Sequence, residues 1–388
     1  MNRIYFLLLA GIYLCCTSCK LIKAHMNQKV YPTPGTRLYF SDEAFTKVTI
    51  EVEQKEQEFV IDLGSPFNAF NFNVGEQVTR ALLKFPTRGF RKGSGFHVKR
   101  LIVVDTLYCP MFNVSNPIAL YQVHETNYQP QCRPAVAENI LGAKCLIGQY
   151  PLYINYQEGY LQFADTLYDR SGFTEVPCVF DRTELAIGLV IQGRLCYFDF
   201  DTGNRSEKGL ILVGRDAVSM EKQVCYVEKS LVLDVYKNMH ELEWKIYQNE
   251  AIGLGKHFGV YSAVAVAGNQ LHHNNAGHEF LKHFNWIIDA RNKKVFCQLI
   301  NSSLSTPRSK KQGNACVVGE VNGQLIVGQA IPQFSSYHIG DTVVAVGQQK
   351  IGTGNICSMM QLLNESSRWD TLSVEVASFR KKKSKRRP

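Results

Sequence analysis

The stretch "CYFDFDTGNRSEKGL", residues 196–210, carries a carboxylate from the end of an apolar run into a turn. Asp201 is followed there by Thr202 and Gly203. An aspartate in such a place is often only a turn former, so one Asp-Thr-Gly is weak evidence of chemistry. A second aspartate in a matched setting would indicate a carboxylate pair. In such a pair one carboxyl takes a proton from water while the other polarises a carbonyl group.

The chain contains that second copy. The segment "VTIEVEQKEQEFVIDLGSPFN" (48–68) aligns without a gap with "IGLVIQGRLCYFDFDTGNRSE" (187–207), which places Asp62 on Asp201 and Gly64 on Gly203. Apolar residues alternate at the start of both segments, as in a strand with one buried face. A polar, turn-prone tip follows, and the chain then returns as a second strand. The repeat therefore predicts two β-hairpins that each end on an aspartate.

A second matched element lies downstream of each hairpin. "NILGAKCL" begins at Asn139 and "NNAGHEFL" begins at Asn274, so that Gly142 aligns with Gly277. These glycines follow their aspartates by 80 and 76 residues. Two independent elements at nearly equal spacing indicate duplication. We therefore predict two β-rich lobes, residues 40–170 and 171–300.

This layout resembles the aspartic peptidases of the pepsin and retropepsin type, in particular bacterial two-lobe members with an appended PDZ domain. The resemblance covers residues 40–380 and rests on three runs: Asp62-Leu63-Gly64-Ser65, Asp201-Thr202-Gly203-Asn204 and Ile140-Leu141-Gly142. It implies a mainly β, bilobal fold with one aspartate loop per lobe, meeting across a pseudo-two-fold cleft. Asp62 and Asp201 are the implied catalytic pair, without metal or cofactor, and their carboxyl oxygens should lie about 3 Å apart.

The residues around the aspartates have predicted supporting roles. Gly64 and Gly203 allow tight turns. The Thr202 hydroxyl is expected to brace the two loops, and the Ser65 hydroxyl to bond the first aspartate. Leu63 departs from the family pattern, which has threonine or serine there, so half of the brace is missing.

Three functions therefore remain open. The first is an exported endopeptidase that hydrolyses peptides or proteins. The second is a catalytically weak or inactive peptide-binding pseudo-peptidase of the cell envelope. The third is a structural envelope protein that keeps remnant loops.

The N-terminus predicts export. "MNRIYFLLLAGIYLCCTSCK" has Arg3, an apolar run over 4–14 and then small residues and cysteines, which is typical of a secretory signal over residues 1–19. Cys19 resembles the lipid-acceptor cysteine of a bacterial lipoprotein, and plain cleavage nearby is the alternative. We therefore expect a periplasmic or outer-membrane protein that contacts the membrane through a lipidated N-terminus.

The C-terminal part predicts a small α+β domain. A polar linker, "NSSLSTPRSKKQGN" (301–314), precedes strands, a turn at Ile339-Gly340-Asp341, a short helix and a closing strand. This order over 315–380 resembles a PDZ domain, which captures a peptide by adding it to a sheet edge. A purely structural cap is the alternative.

Charge and metal-ligand spacing exclude other classes. The net charge of the 388 residues is +9, but Arg380 and the basic tail (381–388) supply seven of those charges, so no nucleic-acid partner is expected. The nine cysteines after the leader form no C-x-x-C pair, which argues against zinc. A histidine-rich run has a spacing one residue too long for a zinc-binding helix, and we interpret its members as surface residues: His272, His273, His278 and His283.

Overall fold

The computed structural model describes residues 28–41, 46–70, 80–84, 96–124, 132, 138–148, 150–165, 169–181, 184–213, 224–233, 239–255, 258–267, 273–300, 315–366 and 369–378. The predicted leader with Cys19, the linker at 301–314 and the basic tail lie outside these residues. Within them the protein is mainly β, as predicted. No helix in the described part of the chain is long and apolar enough to cross a membrane.

We divide the described chain into a first half (28–165), a second half (169–300) and a C-terminal region (315–378). The strands and helix of the first half are β1 (Lys29–Pro32), β2 (Arg37–Tyr39), β3 (Lys47–Val52), β4 (Lys55–Asp62), β5 (Asn68–Phe70), β6 (Arg80–Lys84), β7 (Phe96–Val103), β8 (Thr106–Cys109), β9 (Phe112–Ser115), β10 (Ile118–His124), β11 (Asn139–Gly142), α1 (Ala143–Leu146), β12 (Leu152–Asn155) and β13 (Tyr160–Phe163).

The second half repeats this pattern. Its elements are β14 (Thr174–Val176), β15 (Cys178–Asp181), β16 (Glu184–Ile191), β17 (Arg194–Asp201), β18 (Leu210–Val213), β19 (Tyr226–Leu233), β20 (Met239–Leu254), β21 (Phe258–Ala267), β22 (Asn275–Gly277), α2 (His278–Leu281), β23 (Phe284–Asp289) and β24 (Lys294–Leu299).

The aspartate hairpins form as the alternation predicts. In β3, residues facing the core alternate with more exposed ones, and β3 pairs antiparallel with β4. The tip residues Glu53 and Gln54 both have positive φ (47° and 66°), as do Gln192 and Gly193 in the β16–β17 hairpin (49° and 78°). Two-residue turns with positive φ match the twist of the flanking strands. Both hairpins therefore bring an aspartate to the same relative place.

The order of strands is the same in both halves. The first sheet contains the order β3-β4-β11-β5-β10-β7-β6, and the second contains the matching order β16-β17-β22-β18-β21-β20-β19. In each, the glycine-ended strand runs parallel to the aspartate-ended strand. Gly142 lies opposite Asp62 in one register and Gly277 lies opposite Asp201 in the other. The duplication seen in the sequence is therefore a duplication of topology.

A separate six-stranded sheet joins the halves. Its order is β14-β24-β23-β12-β13-β2, with three strands from each half. The central pairing of β12 with β23 places Ile154 opposite Trp286. One continuous apolar cluster also extends through both halves and includes Phe59, Phe200 and Trp286, all fully buried. This shared sheet and core fix the two aspartate hairpins relative to each other.

The C-terminal region has its own core. Its elements are β25 (Cys316–Val321), β26 (Gln324–Ala330), β27 (Thr342–Val346), β28 (Gln349–Lys350), α3 (Ile356–Glu365), a 3₁₀ helix (Trp369–Leu372) and β29 (Val374–Ala377). Strand β26 pairs with β19 and so extends the sheet of the second half. A disulfide between Cys132 and Cys357 attaches the region to the first half as well.

The interpretation of the histidine-rich run as surface residues is wrong for His278. His278 is only 1% exposed, and its Nδ1 lies 2.9 Å from the Thr46 hydroxyl of the first half. The Tyr156 ring packs against its imidazole. A buried polar group needs such a partner, and this one is supplied from the other half of the chain. His273 is exposed, His283 is half-buried, and His272 lies outside the described residues.

Candidate active site

The first aspartate loop is held by backbone hydrogen bonds. The Ser65 N–H donates to the Asp62 carbonyl oxygen at 3.2 Å and closes the turn. The Ala143 N–H, at the start of α1, donates to the Ser65 carbonyl oxygen at 2.8 Å. The glycine-ended strand and the helix after it therefore support the loop from below.

The second aspartate loop repeats these bonds. The Asn204 N–H donates to the Asp201 carbonyl oxygen at 3.2 Å, and the His278 N–H, at the start of α2, donates to the Asn204 carbonyl oxygen at 2.8 Å. These two bonds join the same positions as in the first loop, and they have the same lengths. The two loops thus have the same backbone geometry, which is what a pseudo-two-fold axis between them requires.

Each carboxyl group packs on the glycine of the opposite loop. A methyl group built on Gly64 would lie 2.6 Å from the Asp201 Cγ, and one built on Gly203 would lie 2.7 Å from the Asp62 Oδ2. Such contacts leave no space for any side chain at these two positions. The structure therefore brings together Asp62, Asp201 and both predicted glycines.

Thr202 links the two loops. Its buried hydroxyl donates to the Ile61 carbonyl oxygen at 2.8 Å and accepts the Leu63 N–H at 3.0 Å. Both partners flank Asp62, so one hydroxyl of the second half fixes the backbone on either side of the first aspartate. This is the bracing that the sequence predicts for Thr202.

Leu63 stands at the matching position of the first loop and has no hydroxyl. Its side chain is 1% exposed and belongs to the apolar cluster shared by the halves. The brace therefore comes from one side only, and at Leu63 apolar packing replaces hydrogen bonding.

We expect Leu63→Thr to lower the free energy of unfolding by about 1–3 kcal/mol, because apolar burial is lost. By the pseudo-two-fold relation, a hydroxyl at this position reaches the backbone beside Asp201. We therefore expect Leu63→Thr to cleave peptide faster per folded molecule than Leu63→Val, which has the same shape without the hydroxyl. Chemical denaturation and initial rates measure the two effects. Equal rates for the two variants would refute a role for the missing hydroxyl.

Ser65 does not make the predicted bond to the first aspartate. Its hydroxyl donates instead to the Phe67 carbonyl oxygen at 2.9 Å. The hydroxyl thus closes a local turn, which is the usual competing use of serine in such positions.

Asn275 is a site residue that the sequence reasoning missed. Its side-chain amide donates to the Asp201 Oδ2 at 2.7 Å, and its Oδ1 accepts from the Asn204 amide at 2.6 Å. The repeat aligns Asn275 with Ile140. The available signal was a polar residue at a position where the first copy has an isoleucine.

The ionisation of side chains close to Asp201 in the chain affects the charge at the site. Burial raises the pKa of Asp199, two residues before Asp201; His273 opposes this shift and the charge of Asp201 adds to it.

Burial also raises the pKa of the Cys145 thiol, in α1, to about 11. This thiol stays protonated at neutral pH and is a poor nucleophile. Among the described residues, no group of three His, Cys, Asp or Glu side chains is placed to hold a metal ion.

Comparison with known proteins gives similarity at the level of solved structures. The chain is similar to an aspartic proteinase from Irpex lacteus, with 12% identity, a TM-score of 0.43 and coverage of 72% of this chain and 100% of that one. It is also similar to a basic 7S globulin from soybean, with 8% identity, a TM-score of 0.37 and coverage of 70% of this chain and 95% of that one. A third similar structure is conglutin gamma, a basic 7S globulin from lupine seeds, with 10% identity, a TM-score of 0.37 and coverage of 71% of this chain and 95% of that one. No family model and no curated protein sequence matches the chain. At these TM-scores the similarities carry no weight for its activity.

Proposed function

We propose that the protein is an exported aspartic endopeptidase in which Asp62 and Asp201 activate water to hydrolyse peptide bonds. The observation that carries this proposal is the pair of matched loops, each with its carboxyl packed on the glycine of the other. In the proposed pair the two carboxyls share one proton, so that an acid and a base face the same reacting group.

The reaction that this pair supports needs no covalent intermediate. The ionised carboxylate takes a proton from water as the water oxygen bonds to the peptide carbonyl carbon. The protonated carboxyl gives its proton to the carbonyl oxygen, which leaves a tetrahedral diol. As the diol collapses, the carboxyl that is now ionised takes the proton of one diol hydroxyl, and this oxygen becomes the carbonyl again. The C–N bond breaks, and the leaving nitrogen takes a proton from the other carboxyl, which restores the pair.

The finer classification belongs to the same proposal. A pepsin-like bilobal fold is supported by the repeated strand order and by the sheet that joins the halves. Export, bacterial origin and a lipid anchor at Cys19 rest on the sequence of the leader. A peptide or protein is the proposed substrate.

One contact favours a structural role for the C-terminal region over the capture of a peptide. The Asn364 side chain donates to the Val318 carbonyl oxygen at 3.0 Å and accepts the Val318 N–H at 2.9 Å. These are backbone groups of β25 that an added peptide strand would use. The region's own helix thus occupies that part of the strand, while β26 and the disulfide attach the region to both halves.

A non-catalytic peptide-binding protein is the second candidate, and Leu63 is the residue that favours it. The dependence of cleavage on pH distinguishes the two functions. The enzyme requires one ionised and one neutral carboxyl, so its rate should rise and then fall with pH. A statine-containing peptide should inhibit cleavage, whereas chelators and serine-directed reagents should not. Peptide binding without cleavage from acidic to neutral pH would favour the second candidate.

A further inference from the structure

We propose that Asn275 is a positioning residue that makes Asp201 the proton-free member of the carboxyl pair and leaves the shared proton on Asp62. This inference rests on the proposed function for its catalytic meaning. It is based on a difference in side-chain contacts between two loops whose backbones match.

The asymmetry begins with the contacts of the Asp201 carboxyl. Its Oδ1 accepts the Asn204 backbone N–H at 2.9 Å, and its Oδ2 accepts the Asn275 side-chain amide at 2.7 Å. Both oxygens are therefore bonded by N–H donors, which bind most strongly to an oxygen that carries negative charge.

The direction of the Asn275 amide is fixed by a chain of hydrogen bonds. The backbone N–H of Ser206 can only donate, and it donates to the Asn204 Oδ1 at 3.0 Å. The other end of the Asn204 amide is therefore its NH₂ group, which donates to the Asn275 Oδ1 at 2.6 Å. The remaining end of Asn275, which faces Asp201, must then also be an NH₂ group. A backbone donor thus sets the polarity of the whole chain.

The first half has different side chains at the two matching positions. Ile140 occupies the place of Asn275 and has no polar atom in its side chain. Ser65 occupies the place of Asn204, and its hydroxyl donates to Phe67. Asp62 is also the more buried aspartate, at 6% exposure, while Asp201 is half-buried. A neutral, protonated carboxyl is less costly to bury than a charged one, so the proton suits Asp62.

The charged groups around Asp201 are few in the described part of the chain. Asp62 faces it from the opposite loop, and Asp199 precedes it on β17 with His273 and Glu184 nearby. Arg205 follows it and pairs with Glu138 at 2.9 Å. When it is ionised, Asp199 opposes negative charge on Asp201. The Asn275 amide therefore stabilises negative charge on Asp201 at a place where a neighbouring carboxylate opposes it.

The test replaces Asn275 in the full-length protein. Asn275→Leu removes the donor and imitates the first half, and Asn275→Asp puts an acceptor against Asp201. Ile140→Leu changes the matching position of the other half and is the control. Asn204→Ala breaks the chain one step earlier but keeps the backbone N–H on Asp201, so it serves if the Asn275 variants fail to fold.

The readout that needs no activity is the pH titration of the backbone amide signal of residue 204 in an NMR spectrum of uniformly ¹⁵N-labelled protein. This amide donates to Asp201 and reports its ionisation. We expect the titration midpoint to move up by roughly one pH unit in both Asn275 variants, as loss of a charge-assisted hydrogen bond implies, and to stay in place in Ile140→Leu. An unchanged or lower midpoint would overturn the inference.

The kinetic readout tests the catalytic meaning. In Asn275→Leu the acidic limb of the pH profile of kcat should move up in parallel with the amide signal, while KM changes little. An amide signal that moves while the acidic limb stays in place would show that Asp201 is not the base. If the wild-type protein cleaves no peptide, the proposed function fails, and the amide titration still decides whether Asn275 positions Asp201.

Discussion

Asp62→Asn and Asp201→Asn should each reduce peptide cleavage by about 10²–10⁴-fold or more, the range that acid and base groups contribute. An asparagine has the shape of an aspartate, but it can neither carry the shared proton as an acid nor accept one from water. Both substitutions should leave the fold intact, since the loops are held by backbone bonds and by Thr202. Initial rates on a peptide substrate, with circular dichroism as a check of folding, measure the effect.

Asp199→Asn is the matched control. Asp199 lies on the same strand, two residues before Asp201, and interacts with it electrostatically. It does not belong to the proposed pair, so the variant should keep most of its activity. Cleavage that persists in both pair variants would place the chemistry elsewhere in the chain.

Gly64→Ala and Gly203→Ala should have the second largest effect. The added methyl group would lie 2.6 Å from the Asp201 Cγ in the first variant and 2.7 Å from the Asp62 Oδ2 in the second. Relief of such overlap requires the loops to separate. We expect at least roughly 100-fold loss of kcat/KM, as for misplacement by about 1 Å, and a loss of about 1–3 kcal/mol in the free energy of unfolding.

Gly148→Ala is the control for these variants, because a methyl group there would meet no atom within 4 Å. It should change neither stability nor activity by much. Gly64→Ala and Gly203→Ala enzymes that retain wild-type rates would show that the close contact between the loops is not needed for the reaction.

The hairpins and their aspartates could be predicted because their signals are local. Alternating apolar residues, a turn-prone tip and a terminal aspartate occur twice in the same order. The spacing to Gly142 and Gly277 then indicates which later strand supports each loop. The structure has that pairing, with Gly142 opposite Asp62 and Gly277 opposite Asp201.

Contacts between distant residues could not be predicted in this way. Asn275 bonds Asp201 from 74 residues away, and its element is the weaker copy of the pattern. Cys132 and Cys357 are 225 residues apart, and nine cysteines after the leader allow many other pairings. His278 is buried because Thr46, on the other half of the chain, satisfies its ring nitrogen.

The most direct measurement of the central claim is a crystal structure of the protein with a statine-containing peptide bound. The statine hydroxyl imitates the water that attacks the peptide carbonyl, so its position shows which groups act on the reacting atom. We predict that this hydroxyl lies within hydrogen-bond distance, about 3 Å, of carboxyl oxygens from both Asp62 and Asp201. A peptide bound with its hydroxyl away from one or both carboxyls would contradict the proposal that the two aspartates act as a pair.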